Sequence, residues 1–113
     1  MSQFISREDL KSLIASGKKH TIVEALSKQY YEAEHLPGAI NIPHDAVPAT
    51  VSSLIPDKNG SVIVYCASME CRNSHAAAEA MRELGYSFVY EYTEGKKGWK
   101  EAGFPLEIGG GTK

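Results

Sequence analysis

Two cysteines and an arginine lie within the stretch YCASMECR, residues 65–72. Cys66 and Cys71 are the two cysteines of the chain, and Arg72 directly follows the second. A thiolate is a nucleophile and a guanidinium binds anions, so the stretch could carry out nucleophilic chemistry on an anionic substrate. The two thiols could also form a redox pair, whereas a zinc site would need another spacing and a second pair of ligands. We therefore predict no metal site and no cofactor.

The elements on either side of this stretch would position Cys66. SVIVY, residues 61–65, is apolar and β-branched, which predicts a parallel strand buried on both faces. SHAAAEAMRELGY, residues 74–86, predicts the clearest helix, which ends at Gly85. Cys66 would then follow a strand and face a helix N-terminus, where free N–H groups and the helix dipole favour an anion. We expect this position, with help from Arg72, to lower the pKa of Cys66 and make it the nucleophile.

The candidate anion-binding loop consists of Ala67, Ser68, Met69, Glu70, Cys71 and Arg72. Ser74 is expected to cap the helix, and Glu70 adds negative charge that opposes a strongly anionic substrate. Cys71 is interpreted first as an unreactive thiol, and the alternative is a resolving thiol that attacks a persulfide or sulfenate on Cys66. The competing interpretation of Cys66 itself is a small apolar residue that ends a buried strand.

Helices and strands alternate along the whole chain. Helices are expected at 6–17, 28–36, 44–55, 74–86 and 98–105, and strands at 21–26, 39–43, 61–65 and 88–92. Residues 44–55 give the weaker helix pattern, in which Pro48 fits a first turn. The alternation predicts a doubly wound α/β fold, a parallel sheet with helices on both faces. We expect one domain over residues 1–108 and a flexible tail at 109–113.

Composition restricts the expected partners and compartment. With 113 residues and a net charge of −2, the chain has no bulk attraction to nucleic acid or membrane. Its N-terminus does not resemble a signal peptide, and no apolar run approaches the roughly 20 residues of a membrane span. Two cysteines do not make a disulfide framework, so we predict a protein of the reducing cytoplasm.

Three motifs, in the expected order and spacing, resemble the rhodanese-like domain family. They are EHLPGAINIP at 34–43, VIVYCASMECRNSHAAAEAMRELGY at 62–86 and GWKEAGFPLE at 98–107. Together they extend over nearly the whole chain. The resemblance implies a five-stranded parallel sheet and a sulfurtransferase in which Cys66 accepts sulfane sulfur above a cradle of backbone amides. The donor would be thiosulfate or a persulfide, and the acceptor a thiol or cyanide, including a thiol on a protein.

The chain departs from the family's pattern in three places. The loop is longer than the common version, with Met69 where a glycine is usual. Glu24, Ala25 and Leu26 stand where the family has Asp-x-Arg, so an arginine is missing and Glu24 is expected to keep the acid's structural role. Residues 94–98 replace a Gly-Gly pair before the tryptophan.

The longer loop leaves two other functions open. Cys66-x5-Arg72 also resembles the phosphatases and arsenate reductases of the same fold, in which the arginine binds two oxygens of the substrate. Tyr65 in place of histidine and the charge of Glu70 count against that interpretation. The other alternative is a non-enzymatic module that carries a persulfide or senses redox state.

Several residues outside the loop are expected to be structural. His35 is interpreted as a structural hydrogen-bonding residue and Trp99 as part of the core. His75, in the first turn of the predicted helix, is expected to be exposed to solvent. The lysines of EGKKGWK, residues 94–100, are interpreted as a solvated face.

Overall fold

The computed structural model describes residues 3–109 of the 113. Within this range the strands are β1 (Thr21–Glu24), β2 (Ile40–Asn41), β3 (Ser61–Tyr65) and β4 (Phe88–Tyr92). The helices are α1 (Arg7–Ser16), α2 (Lys28–Ala33), α3 (Val47–Leu54), α4 (Asn73–Glu83) and α5 (Gly95–Glu101), and a 3₁₀ turn (His44–Ala46) precedes α3. All strand pairs are parallel, in the order β2-β1-β3-β4. The predicted parallel α/β class is therefore confirmed.

The N-terminal segment lies beside β4, at the edge of the sheet. Phe4 forms an isolated parallel bridge with Glu91, and the Glu91 N–H donates to the Gln3 carbonyl at 2.7 Å. The chain then turns into α1, because the Ser6 hydroxyl accepts the Asp9 N–H at 3.0 Å and caps the helix. Among residues 3–109 the sheet thus has four strands and one bridge, so the number five is not confirmed.

Side chains from both faces of the sheet are buried, which explains why β3 is apolar without alternation. Val62 and Val64 pack with α3 and α4, whereas Ile63 and Tyr65 pack with α1 and α5. Trp99 on α5 is 1% exposed and lies in the second of these clusters, as predicted. The two helical layers hold β3 in the centre of the sheet and so fix the position of the residue that follows it.

Several element boundaries differ from the sequence-based prediction. The strongest helix begins at Asn73, with Arg72 rather than Ser74 at the N-cap. Helix α5 begins at Gly95 rather than at residue 98. Helix α2 ends at Ala33, because the next residues are extended and His35 pairs with Glu107 through two backbone hydrogen bonds of 2.8 Å.

The C-terminal segment follows the body of the fold as far as the structure describes it. Gly109, the first residue of the predicted flexible tail, donates its N–H to the Glu32 carbonyl at 2.7 Å. Residues 110–113 of that predicted tail lie outside the described residues. In the described part of the chain, no helix is long and apolar enough to cross a membrane.

Candidate active site

Cys66 lies directly after β3 and next to the first turn of α4. Its side chain is buried, with 1% of the residue exposed. The thiol donates to the Cys71 carbonyl at 3.3 Å, and its sulfur lies 3.5 Å from the Ser74 hydroxyl oxygen. The backbone N–H of Ser74 also points at this sulfur. The expected proximity of Cys66 to the N-terminus of the helix is therefore present.

Ser74 has a different role from the predicted one. It lies inside the first turn of α4, after the N-cap, and 3% of the residue is exposed. Its hydroxyl faces the sulfur of Cys66 instead of capping the helix. The N-cap lies two residues earlier than expected, so the Ser74 side chain faces the cysteine instead of the helix end.

Cys71 is half-buried and its sulfur contacts the sulfur of Cys66. The backbone N–H groups of Ala67 and Asn73 donate hydrogen bonds to this sulfur, which also interacts with the Cys66 side chain. The Cys71 N–H donates to the Ser68 carbonyl at 3.1 Å, which closes a turn that folds the side chain back into the loop. Two backbone N–H groups therefore point at Cys71, whereas one, that of Ser74, points at Cys66.

The two thiols differ in acidity, in the order opposite to the one expected. Burial raises the pKa of Cys66, and the hydrogen bond to Cys71 raises it further, which outweighs the opposing effect of Ser74. Partial burial also raises the pKa of Cys71, but the hydrogen bonds from Cys66, Ala67 and Asn73 outweigh it and lower that pKa. The predicted depression of the Cys66 pKa is therefore wrong, because the sequence did not show how deeply this sulfur is buried.

The tip of the loop, residues 68–70 with Arg72, projects into solvent. Met69 is 70% exposed, and the Ser68 hydroxyl donates to the Glu70 carboxylate at 3.0 Å. This hydrogen bond, the Glu70 backbone N–H and the charge of Lys97 lower the pKa of Glu70. Arg72 is exposed and forms no ion pair within residues 3–109. The arginine expected to help Cys66 therefore does not contact it.

Helix α5 holds the first two residues of the loop. The N–H groups of Lys96 and Lys97 donate to the carbonyls of Cys66 and Ala67 at 2.9 and 2.8 Å. Gly95 makes this approach possible: its φ is +69°, and a Cβ there would lie 2.7 Å from both the Cys66 carbonyl oxygen and the Ser68 nitrogen. A glycine in EGKKG was visible in the sequence, but nothing there indicated that it touches the loop.

A buried polar network lies beneath the loop and includes a residue that sequence reasoning missed. The Lys96 ammonium donates to the Glu24 carboxylate at 3.0 Å and to the Tyr30 carbonyl at 2.9 Å. The Tyr65 hydroxyl donates to the other Glu24 oxygen at 2.6 Å and accepts the Leu36 N–H at 3.0 Å. Lys96 thus supplies a buried cation beside the first strand, where the family's arginine is missing. The prediction that this lysine belongs to a solvated face is wrong.

Two clefts flank the loop, one beside Ala67 and the other beside residues 68–70. One, of about 320 Å³, is lined by Leu26, Tyr30, Ala33, Glu34, Ala67, Lys96, Lys97 and Lys100. The other, of about 270 Å³, is lined by Arg7, Ser68, Met69, Glu70, Glu94, Lys97, Gly98 and Glu101. Lys97 borders both clefts, so a cation stands beside either approach to the loop. A third cavity, of about 610 Å³, includes Ser61 at the start of β3 and neither cysteine.

The two histidines near these elements have partners outside the loop. The side chain of His75 is 42% exposed, so the predicted exposure is partial, and its Nδ1 lies 3.1 Å from the buried Glu91 carboxylate. His35 is fully buried, stacks on Tyr31 at 3.9 Å and contacts the Tyr31 carbonyl at 2.7 Å through Nδ1, which confirms a structural role. In the range 3–109 no group of three or more histidine, cysteine or acidic residues could hold a metal ion.

Comparison with known proteins agrees with this arrangement. The family model of the rhodanese-like domain matches residues 6–102. Thiosulfate sulfurtransferase PspE of Escherichia coli is 37% identical over 94 residues, which cover 83% of this chain and 84% of that protein.

Solved structures show the same fold. A rhodanese with anions from E. coli is 34% identical, with a TM-score of 0.67, and the match covers 80% of this chain and 100% of that one. A thiosulfate sulfurtransferase from Pseudomonas aeruginosa is 26% identical, with a TM-score of 0.83 over 96% of this chain and 20% of that one. The chain therefore belongs to the rhodanese-like domain family, and its relatives include sulfurtransferases.

Proposed function

We propose that this protein is a sulfurtransferase that carries sulfane sulfur on Cys66. The observation that carries the proposal is the placement of Cys66 at the carboxyl end of the central strand, with α5 fixing its carbonyl and α4 directing an N–H at its sulfur. Ligands of open α/β sheets bind at this edge. The likeness to PspE supports thiosulfate as one donor.

The first half-reaction loads the cysteine. The Cys66 sulfur attacks the outer sulfur of thiosulfate, the S–S bond of thiosulfate breaks, and sulfite leaves with the bonding electron pair. The product is a persulfide, Cys66–Sγ–S⁻. The proton of the Cys66 thiol leaves with the sulfite, which departs as bisulfite. The loop N–H groups stabilise the negative charge of the persulfide, as an oxyanion hole stabilises an alkoxide.

The second half-reaction unloads the sulfur. The sulfur of an acceptor thiol attacks the outer sulfur of the persulfide, the Sγ–S bond breaks, and the proton of the acceptor thiol passes to Cys66, which returns to its thiol form. Cyanide as acceptor would give thiocyanate in the same way. We place the acceptor, a small thiol or a thiol carried by a protein, in the cleft of about 320 Å³ next to Ala67, where Lys97 and Lys100 would attract its negative charge. A reducing cytoplasm suits this cycle, since both thiols must stay free.

The phosphatase or arsenate reductase alternative gains no support from the geometry. That chemistry needs a guanidinium inside the loop, but Arg72 is exposed. Glu70 stands at the mouth of the loop and would repel a phosphate dianion.

Intact-protein mass spectrometry tests the proposal. We expect thiosulfate to add one sulfur, about 32 Da, to the reduced protein and to the Cys71→Ser variant, but not to Cys66→Ser. The variant that keeps Cys66 as its single cysteine assigns the adduct to one residue. Turnover of p-nitrophenyl phosphate together with a failure of every sulfane donor to form the adduct would overturn the proposal.

A further inference from the structure

The proposed sulfur transfer uses one thiol, but the structure places two in contact. The Cys66 thiol donates to the Cys71 carbonyl at 3.3 Å, and the two cysteine side chains interact with each other. Both are reduced; one backbone N–H, that of Ser74, points at the Cys66 sulfur, and two, those of Ala67 and Asn73, point at the Cys71 sulfur. The arrangement is that of two reacting sulfurs held together, and the role of Cys71 in it is not explained by sulfur transfer alone.

We propose that Cys71 is a resolving thiol that converts the Cys66 persulfide into a Cys66–Cys71 disulfide and releases sulfide. This inference rests on the proposed formation of a persulfide at Cys66. The step is Cys66–Sγ–S⁻ + HSγ–Cys71 → Cys66–Sγ–Sγ–Cys71 + HS⁻. The sulfane sulfur is reduced to sulfide, the Cys71 sulfur is oxidised, and the Cys71 proton leaves on the sulfide.

The contact between the thiols makes the ring closure a short movement. The turn closed by the Cys71 N–H and the Ser68 carbonyl already brings the Cys71 side chain to Cys66. Cys66 cannot move away, because α5 holds its carbonyl and the Lys96 network holds α5. The new bond therefore forms between atoms that are neighbours before the reaction, which raises the effective concentration of the attacking thiol.

The chemistry of the leaving group selects the sulfur that is attacked. Attack at Cys66 Sγ expels sulfide, whereas attack at the outer sulfur would expel the Cys66 thiolate. Thiol–disulfide exchange is faster when the leaving thiol is more acidic, and burial makes Cys66 a weak acid. The amides of Ala67 and Asn73 favour the anionic form of Cys71, which is the attacking form. Resolution to the disulfide is therefore preferred over a relay of sulfur from Cys66 to Cys71.

The disulfide must be reduced before another cycle. A dithiol reductant of the thioredoxin type would attack the half-exposed Cys71 sulfur, since Cys66 is buried. When an acceptor thiol is abundant, it takes the sulfur before Cys71 does. When the acceptor is scarce, the protein instead consumes dithiol and produces sulfide. Cys66 and Cys71 together thus give the site a second reaction, for which the dithiol supplies the electrons.

The experiment compares wild type with Cys71→Ser and with Cys71→Ser/Ser53→Cys. Ser53 is exposed on α3, so the double variant keeps two thiols but separates them. Each reduced protein is loaded with thiosulfate or, in parallel, with inorganic polysulfide, which persulfidates thiols without catalysis. After rapid desalting in the absence of any acceptor thiol, intact mass and released sulfide are measured. Tryptic digestion then isolates residues 59–72, which contain both native cysteines.

We expect wild type to end about 2 Da below the reduced protein and to release about one equivalent of sulfide. Its peptide 59–72 should resist iodoacetamide until it is reduced. Both variants should keep about 32 Da of added mass on Cys66, with further sulfur at position 53 of the double variant in the polysulfide arm, and should release at least ten-fold less sulfide.

Three results would overturn the inference: a stable Cys66 persulfide in wild type, added sulfur found on Cys71, or equal sulfide release by the double variant. Fragment ions that contain only Cys71 and Arg72 locate any added sulfur. If thiosulfate fails to load Cys71→Ser, the proposed donor reaction is wrong, but the polysulfide arm still decides the fate of the persulfide.

Discussion

The base of the loop, Cys66 and Ala67, is built quite differently from its tip, residues 68–70 with Arg72. Both carbonyls of the base accept N–H groups from α5, and a buried ion pair lies beneath them. At the tip, Met69 and Arg72 are exposed, and the Ser68–Glu70 hydrogen bond joins two residues of the tip itself. These contacts thus hold the candidate nucleophile in place. The tip, which is the part of the loop that departs from the family's common length, faces solvent.

This contrast separates two properties of the site. The base decides whether the sulfur of Cys66 stands in the correct place, so changes there should affect both stability and activity. The tip meets the substrate from solvent, so changes there should affect substrate preference with little cost in stability. The predictions below test this division, beginning with the largest expected effect on the free energy of unfolding.

Lys96→Met should cause the largest loss of stability. It removes the partner of Glu24, which is fully buried, and an uncompensated buried charge costs roughly 3–5 kcal/mol. Urea denaturation measures the free energy of unfolding. Lys100→Met is the matched control, since the Lys100 side chain is 65% exposed and its pair with Glu34 is worth less than about 1 kcal/mol. Equal losses in the two variants would show that Lys96 does not support the base.

Gly95→Ala should lower stability by roughly 2–4 kcal/mol and reduce sulfur transfer at least ten-fold. The new Cβ would lie 2.7 Å from the Cys66 carbonyl oxygen, so the base of the loop must shift. Gly103→Ala is the control, because Gly103 also has a positive φ of +78° but nothing lies within 4 Å of its Cβ position. We expect that control to lose about 1 kcal/mol and to keep its activity, as measured by thiosulfate-dependent loading. Full activity in Gly95→Ala would contradict the close packing of α5 on the loop.

The two thiols should react with iodoacetamide over different pH ranges. The pKa of Cys71 is lowered, so its thiolate should form first as the pH rises, and Cys71 should be alkylated first. The pKa of Cys66 is raised, so its alkylation should still increase where that of Cys71 has levelled off. Mass spectrometry of peptide 59–72 over a series from about pH 6 to about pH 10 measures both rates. The reverse order would show that the backbone N–H groups stabilise the thiolate of Cys66 more than that of Cys71.

Arg72→Ala should have the smallest effect. Its guanidinium is exposed and forms no ion pair in the described part of the chain, so the free energy of unfolding should change by less than about 0.5 kcal/mol. The amount of thiosulfate-derived adduct per protein should be unchanged. A ten-fold loss of loading would show that Arg72 takes part in the reaction and would support the phosphatase-like interpretation of the loop.

The difference between the base and the tip is also related to what could be predicted from the sequence. The apolar run at 61–65 and the helix pattern at 74–86 were enough to place Cys66 between a central strand and a helix. Local sequence patterns do not show, however, which residues far apart in the chain come into contact. The contacts of Lys96 with Glu24 and of Gly95 with Ser68 join positions far apart in the chain. The spacing of the lysines in residues 94–100 therefore indicated a solvated face, whereas Lys96 is a buried cation in the fold.

The sequence by itself determined the parallel α/β fold, the family and the position of Cys66, because these follow from local periodicity and from motifs of neighbouring residues. The tertiary structure alone decided the acidity of the two thiols and the support of the loop. Acidity depends on burial and on which N–H groups converge on each sulfur, and those are set by the packing of distant elements. For that reason Cys71, an unreactive thiol by its sequence context, became the sulfur with the lowered pKa once the chain was folded.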